Sequence, residues 1–251
     1  MSDFRGRASA LLERLEASRL LLVEWETSLH IRLGYPLASN GSLFLLIPDG
    51  QLQRVRELAA GVGLSPADEN TLRSIYPCEL SGLAVRYLVD DSFRTAAPHE
   101  GPPRRRLVFL SMSWTGITPD ELVPISAQDA SQPTLPSFVQ TMPLPVACAA
   151  LVRIAAREKR GSPLREGVIE RLSSIIGYSL FDMSYEGDYM EFPPNDQPLS
   201  DQETLEIQNA VVKMNKCVFR EDEEWIKEIL VQIVSGKMDY VDLPCQERPR
   251  M

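Results

Sequence analysis

Residues 35–61 read YPLASNGSLFLLIPDGQLQRVRELAAG, and the fold class turns on how the middle of this stretch is read. Leu43 to Ile47 is an apolar run without alternation, set between the turn cluster Ala38-Ser39-Asn40-Gly41 and the breaker Pro48-Asp49-Gly50. A short apolar run bounded by turns predicts a strand, and the missing alternation predicts that both of its faces are covered. Leu52, Val55, Leu58 and Ala59 follow at helical spacing. The stretch therefore predicts strand, tight turn, helix, and requires the rest of the domain to supply the covers.

Outward from it, the same two periods recur. On the N-terminal side, Leu11, Leu12 and Leu15 share one face of an amphipathic helix over Ala8–Ala17, and Leu20–Val23 predicts a short apolar strand. Glu26–Leu33 predicts a second helix, closed by Gly34 and Pro36. On the C-terminal side, Ser65-Pro66-Ala67-Asp68 carries the residues of a helix start. Ala84–Val89 and Arg106–Ser111 predict strands, with a surface loop between them from Asp90 to Pro103. The expected sheet thus has about four strands, near Leu20, Leu43, Ala84 and Leu107. From Thr115 to Pro145, six prolines predict an irregular connector.

Beyond Pro145 the pattern is helical. Val146–Lys159 is a small-residue helix, and Ser162-Pro163 opens another with Leu164, Val168, Leu172, Ile175 and Ile176 as its stripe. Ser200-Asp201-Gln202-Glu203 is a capping box, and Asp222–Val234 places Trp225, Ile226, Ile229, Leu230 and Ile233 inward. The expectation is an α/β (α+β) protein, a small mixed sheet covered by helices, with a helical C-terminal half.

Composition excludes several classes of function. At 251 residues and 44% hydrophobic content the chain can bury a real core. The net charge of −9 disfavours a phosphate backbone or an anionic membrane as partner. Arg104-Arg105-Arg106 is the only dense basic run and reads as a solvated strand entrance. Cys78, Cys148, Cys217 and Cys245 lie far apart, and His30 and His99 are the only histidines, so no metal box is predicted and free, mostly buried thiols are. The first residues lack the apolar core of a secretory signal, and no stretch of about 18 apolar residues occurs. The expectation is an intracellular protein, cytoplasmic or nuclear, with no cofactor.

Leu20–Gly63 resembles the opening of the nucleotidyltransferase fold, whose active members carry Gly-Gly/Ser after the first strand and Asp-x-Asp on the second. More narrowly, Gly34-Tyr35-Pro36, Ile47-Pro48-Asp49 and Gln51-Leu52 are similar to motifs of uncharacterised filamentous-fungal proteins with a nucleotidyltransferase-like fold. The strand pair at Ala84 and Arg106, followed by Trp114, also fits. The resemblance implies a nucleotidyltransferase-like α/β core over residues 1–114, the Pro-rich connector over 115–145, and a helical region packed on the core over 146–251. It also implies a degenerate site. Magnesium needs two carboxylates on one face of a strand, and the corresponding positions are Ser42 and Phe44, while Glu26 stands where glycine is expected.

Other candidates are acids near strand ends: Glu24, Glu26, Asp49, Asp90 and Asp91. Their commoner role is as exposed, solvated acids. Neither histidine has a partner Ser or Cys in an activating motif. Asp182, Glu186, Asp188 and Glu191 alternate with Met183, Tyr185, Tyr189 and Met190, an acidic, aromatic edge suited to a basic protein partner, though a solvated helix end is commoner. The resulting expectation is a non-catalytic accessory or interaction protein. The alternative is an enzyme, either a nucleotidyltransferase with relocated carboxylates or a fungal metabolic-pathway enzyme with an unrelated pocket. Ser42, at the turn, is expected to accept Asp within about 1 kcal/mol, whereas Phe44→Asp should cost on the order of 3 kcal/mol or more. Thermal unfolding of the two single variants reads this contrast.

Overall fold

The structure is a computed structural model that describes residues 4–37, 39–89, 104–125, 138–181 and 200–246. The chain divides into two compact units, residues 1–32 with 36–143, and residues 33–35 with 144–251.

The first unit holds α1 (Phe4–Ala17), β1 (Val23–Glu24), α2 (Thr27–Arg32), β2 (Leu43–Ile47), α3 (Leu52–Gly61), β3 (Val85–Leu88), β4 (Arg106–Ser111), α4 (Met112–Thr115), β5 (Val123–Pro124) and β6 (Gln140–Thr141). Its strands form an open mixed sheet in the order β3-β4-β2-β1-β6-β5. The central ladder is parallel, β2 on β4, from Leu43 opposite Leu107 to Ile47 opposite Ser111. β3 joins β4, and β1 joins β2, in antiparallel fashion, while β6 runs parallel to β1. All the residues of β2 after Leu43 are buried, as a run without alternation requires.

Alternate strand residues still divide between the two faces. Leu45 and Ile47 of β2, Leu107 and Phe109 of β4, and Val85 and Tyr87 of β3 form one apolar core with Leu11 and Leu15 of α1 and Val55 and Ala59 of α3. Two arginines of α1 reach the C-terminal end of α3: Arg7 Nη1 donates to Gly63 O at 2.9 Å, and the Arg14 guanidinium lies over Gly61. Positive charge there complements the helix dipole. The opposite sheet face carries Phe44 and, from β4, Arg106 and Val108.

Several expectations change. The strand predicted over Leu20–Val23 shrinks to Val23–Glu24, because a turn ends α1 with Arg19 at φ 51° and the Leu20 amide bonded back to Leu15 O. Ser65–Asp68 starts no helix. The Ala67 amide instead bonds Arg86 O on the edge strand, and the Asp68 carboxylate accepts from the amide and hydroxyl of Thr71. Those bonds hold the segment extended and then turned, which helical φ/ψ would forbid. The Pro-rich connector contributes β5, β6 and the start of the first helix beyond it, which adds strands to the four expected. Its residues 126–137 and the loop residues 90–103 lie outside the described residues.

The second unit is helical over its described residues: α5 (Leu144–Arg157), α6 (Pro163–Leu180), α7 (Asp201–Asn215) and α8 (Glu224–Val234). α6 begins as expected, with the Ser162 hydroxyl accepting from the Arg165 amide and Pro163 in its first turn, and it buries Leu164, Val168, Leu172, Ile175 and Ile176. α7 opens on the capping box of Ser200 and Glu203. Arg153 of α5 makes a two-pronged ion pair with Glu223, just before α8, at 2.5 and 2.6 Å. Arg165 Nη2 donates to Val241 O and Leu243 O, tying the chain end to α6. Trp225 is 40% exposed, not inward. The buried stripe of α8 is Ile226, Leu230, Ile233 and Val234, and Trp225 lies one helical step, about 100°, off it. No described helix is long and apolar enough to cross a membrane.

Two substitutions test this packing. Leu45→Ala, at a fully buried position, should cost about 2–5 kcal/mol. Ser200→Ala should cost only about 1 kcal/mol through the lost cap. Urea denaturation followed by far-UV circular dichroism would rank them.

Candidate functional site

Ser42 and Phe44, the positions expected to correspond to a lost carboxylate pair, lie at the entrance of the β2–β4 ladder. Ser42 and Phe44 share one face with Arg106 and Val108, and there the chain builds a dry polar network. Asn40 Oδ1 accepts from the Ser42 amide at 2.9 Å, an Asx turn that sets the entry to β2. Ser42 is 2% exposed, and its hydroxyl accepts from the Arg106 amide at 3.2 Å. It is therefore a buried link between two strands, not the open turn position expected of it.

Arg106 is also buried, which corrects the reading of the arginine triplet as a solvated strand entrance. A charge run in sequence does not reveal which member the strand alternation turns inward; here it is the third. Its guanidinium Nη1 lies 2.8 Å from both oxygens of Glu79, itself buried, and 2.9 Å from Arg73 O. Its Nε donates to Arg104 O at 3.1 Å. The Glu79 carboxylate also accepts from the amides of Ile75 and Tyr76, at 3.0 and 3.1 Å. A buried ion pair survives only when its remaining donors and acceptors are satisfied in this way.

The same network seats an aromatic lid. The Tyr76 ring lies 4.4 Å from Phe44, centroid to centroid, and the Arg106 guanidinium sits 5.5 Å over the Tyr76 ring. Asn40 Nδ2 donates to the Tyr76 hydroxyl, and burial raises the pKa of that hydroxyl above its ordinary value. Phe44 is 1% exposed.

Glu26 has φ 49°, a left-handed conformation that favours glycine and is uncommon for glutamate. Its carbonyl accepts from the His30 amide in the first turn of α2, and its buried carboxylate Oε1 accepts from the Cys78 amide at 3.4 Å. Glu26 thus turns inward onto Cys78, while Glu79 turns back onto the amides of Ile75 and Tyr76. Glu24 is fully buried and paired through both oxygens with Arg32 Nε and Nη2. The expectation of exposed acids fails for Glu24 and Glu26, because each has found donors that replace water. His30 is a buried residue of α2. Asp90, Asp91, His99 and the acids Asp182, Glu186, Asp188 and Glu191 lie outside the described residues.

At the opposite end of the ladder, Asp49 is exposed. Its Oδ1 accepts from the Ser111 hydroxyl and from the Ser113 amide at 3.2 Å, and the two hydroxyls are 2.8 Å apart. The bonds from Ser111 and Ser113 hold its carboxyl below the usual range. All four cysteines are free; Cys78 and Cys148 are buried and Cys217 and Cys245 half-buried, and burial pushes the Cys148 thiol far up. Among the described residues no group of three or more His, Cys, Asp or Glu side chains is placed to hold a metal ion.

Sequence reasoning missed Glu79 and Tyr76. Their only signal was Pro77 followed by an acid two residues later, the first turn of a short 3₁₀ helix. The geometry also revises the cost of Ser42→Asp: a carboxylate replacing the buried acceptor should cost about 2–4 kcal/mol, closer to Phe44→Asp than to a surface change. Glu79→Gln should cost about 3 kcal/mol by leaving the Arg106 charge buried and unmatched, and Glu79→Gln with Arg106→Met should recover much of that loss. Chemical denaturation of the two single variants and the double variant tests the coupling. Comparison with family models, with curated proteins and with solved structures returned no match for this chain.

Proposed function

We propose that the first unit is a non-catalytic interaction module on a nucleotidyltransferase-like scaffold whose metal site has been lost. The observation that carries this reading is the filling of the two strand positions such chemistry needs. Phe44 is packed on Tyr76, and the Ser42 hydroxyl is occupied by the Arg106 amide. Phe44 has no ligand atom, the Ser42 oxygen is buried and already engaged, and no carboxylate stands at either position to hold magnesium and its triphosphate. The left-handed backbone at Glu26 supports the same reading, because a glycine turn in such a scaffold would adopt that conformation without strain. Glu24 and Glu26 offer no relocated pair, since Arg32 and the Cys78 amide already engage them.

Support for an interaction role comes from the surface around the aromatic lid. Ile75, Leu80 and Leu83 are 44%, 44% and 50% exposed within one short segment, an apolar rim of the kind protein partners cover. The net charge of −9 favours a protein partner over nucleic acid or an anionic membrane.

Titration of ATP, GTP and CTP with magnesium by calorimetry tests the proposal. No saturable heat is expected for any of the three. Saturable binding that survives Phe44→Ala but is lost when an acid of this unit is neutralised would replace the proposal with the enzyme reading.

A further inference from the structure

Along α7 the buried residues are Ala210 and Met214, with Ile207 and Val211 half-buried beside them, so one side of the helix faces its own unit. The opposite side is not simply polar. Leu205 and Val212 are 57% and 50% exposed, and at about 100° per residue they lie only about 20° apart, turned away from Met214. A seven-residue spacing of apolar positions is the repeat by which one helix packs along another. Charge closes the stripe at both ends: Asp201 precedes Leu205 by one turn, Lys216 follows Val212 by one turn, and both are exposed. Two neighbouring charges of the helix are already engaged within this chain, Glu203 with the Ser200 hydroxyl and Lys213 with Leu180 O at 3.2 Å. The exposed stripe is also self-complementary on reversal. Asp201 with Lys216, Leu205 with Val212, and Gln208 with Asn209 are three pairs that share one midpoint, between Gln208 and Asn209.

We propose that α7 docks on α7 of a second copy of this chain, antiparallel, about a two-fold axis that passes between Gln208 and Asn209. A two-fold interface is isologous, so the patch must complement itself, and this stripe does. Leu205 meets the partner's Val212 and Val212 meets the partner's Leu205, which removes both exposed apolar side chains from water. Asp201 meets the partner's Lys216 at one end, and the symmetric pair closes the other. A parallel pairing would instead set acid against acid and lysine against lysine, so charge selects the antiparallel form. At the axis the amides of Gln208 and Asn209 can bond each other's counterparts; a polar layer of this kind fixes register at some cost in affinity. A partner of different sequence would require no such symmetry of the stripe about its own centre, which is why a second copy is the occupant. The helix has 15 residues and so spans about 22 Å. One helix from each copy gives an interface below about 1,200 Å², in the range of weak, reversible association. The pairing concerns the second unit and does not depend on how the entrance at Ser42 and Phe44 is read.

Sedimentation equilibrium of the full chain over a concentration series tests the pairing. A monomer–dimer equilibrium is expected, with a dissociation constant of about 100 µM or tighter. Leu205→Glu should weaken it at least about tenfold, because a carboxylate then replaces an apolar contact at both symmetric positions. The decisive variants are Asp201→Lys and Lys216→Asp. Alone, each sets like charges against each other at both ends of the pair and should dimerise several-fold more weakly than the parent chain. Mixed in equal amounts, the two variants restore opposite charges at both ends, so association should recover. The mixture contains only the substitutions of its components, so a loss of helix stability could not produce that recovery. A chain that stays monomeric up to about 1 mM, an order of magnitude above the expected constant, would overturn the proposal. A dimer that Leu205→Glu leaves unchanged would overturn it by placing the interface elsewhere, and a mixture that associates no better than either variant alone would overturn the antiparallel register.

Discussion

A guanidinium that has been taken out of water must have its donors met, and Arg106 imposes that requirement on the segment from Arg73 to Ser81. It enters the fold on the central ladder, on the face shared with Ser42 and Phe44. Meeting it recruits Glu79, Arg73 O and Arg104 O, and Glu79 in turn orders the amides of Ile75 and Tyr76. The segment from Arg73 to Ser81 is thereby laid over the start of β2. Pro77 and Cys78 of this segment are buried with Glu79, so apolar packing and the polar network seat it together. Once seated, it delivers the Tyr76 ring to Phe44 and the Cys78 amide to Glu26. The polar network places the lid, and the aromatic stack makes it dry. That drying strengthens each hydrogen bond beneath it.

How much of this could be read from the residues depends on the range over which each decision is made. The β2 strand, the β4 strand, the α6 stripe and the α7 capping box were legible because periodicity and caps are local and recur over several residues. Leu43–Ile47 and Arg106–Ser111 keep the predicted bounds. Arg106 was misread because three consecutive arginines show charge but not which one faces inward; only the pairing with β2 and β3 decides that. Ser65–Asp68 was misread because its helix-start residues are equally good turn formers, and a single bond from the Ala67 amide to the edge strand chooses between them. Trp225 failed for a simpler reason. A helix carrying apolar residues over more than a third of its circumference leaves its edge undetermined until its neighbours are known.

Glu26 shows how a local cost can be carried by a distant gain. A left-handed glutamate is disfavoured by about 1–2 kcal/mol, and glycine would remove that cost. The conformation nevertheless closes β1 into α2 and turns a carboxylate toward the Cys78 amide, a hydrogen bond that glycine could not supply. At 3.4 Å that bond is long, so it offsets the strain only in part. The backbone therefore takes a shape in which glycine would be unstrained, while the side chain makes a contact that glycine cannot.

The two ends of the β2–β4 ladder have come to opposite physical states, and this contrast constrains where chemistry or binding can reside. At the entrance, every strongly polar group is paired, buried and covered by rings; a ligand there would have to displace Tyr76 and strip Arg106 and Glu79 of their partners, at a cost that breaking a buried ion pair sets at several kcal/mol. At the exit, Asp49 is exposed and its carboxylate is engaged only locally, by the Ser111 hydroxyl and the Ser113 amide. Stability and accessibility are thus segregated along one pair of strands. The entrance anchors the sheet, and the exit carries only exposed local bonds whose loss would cost the fold little.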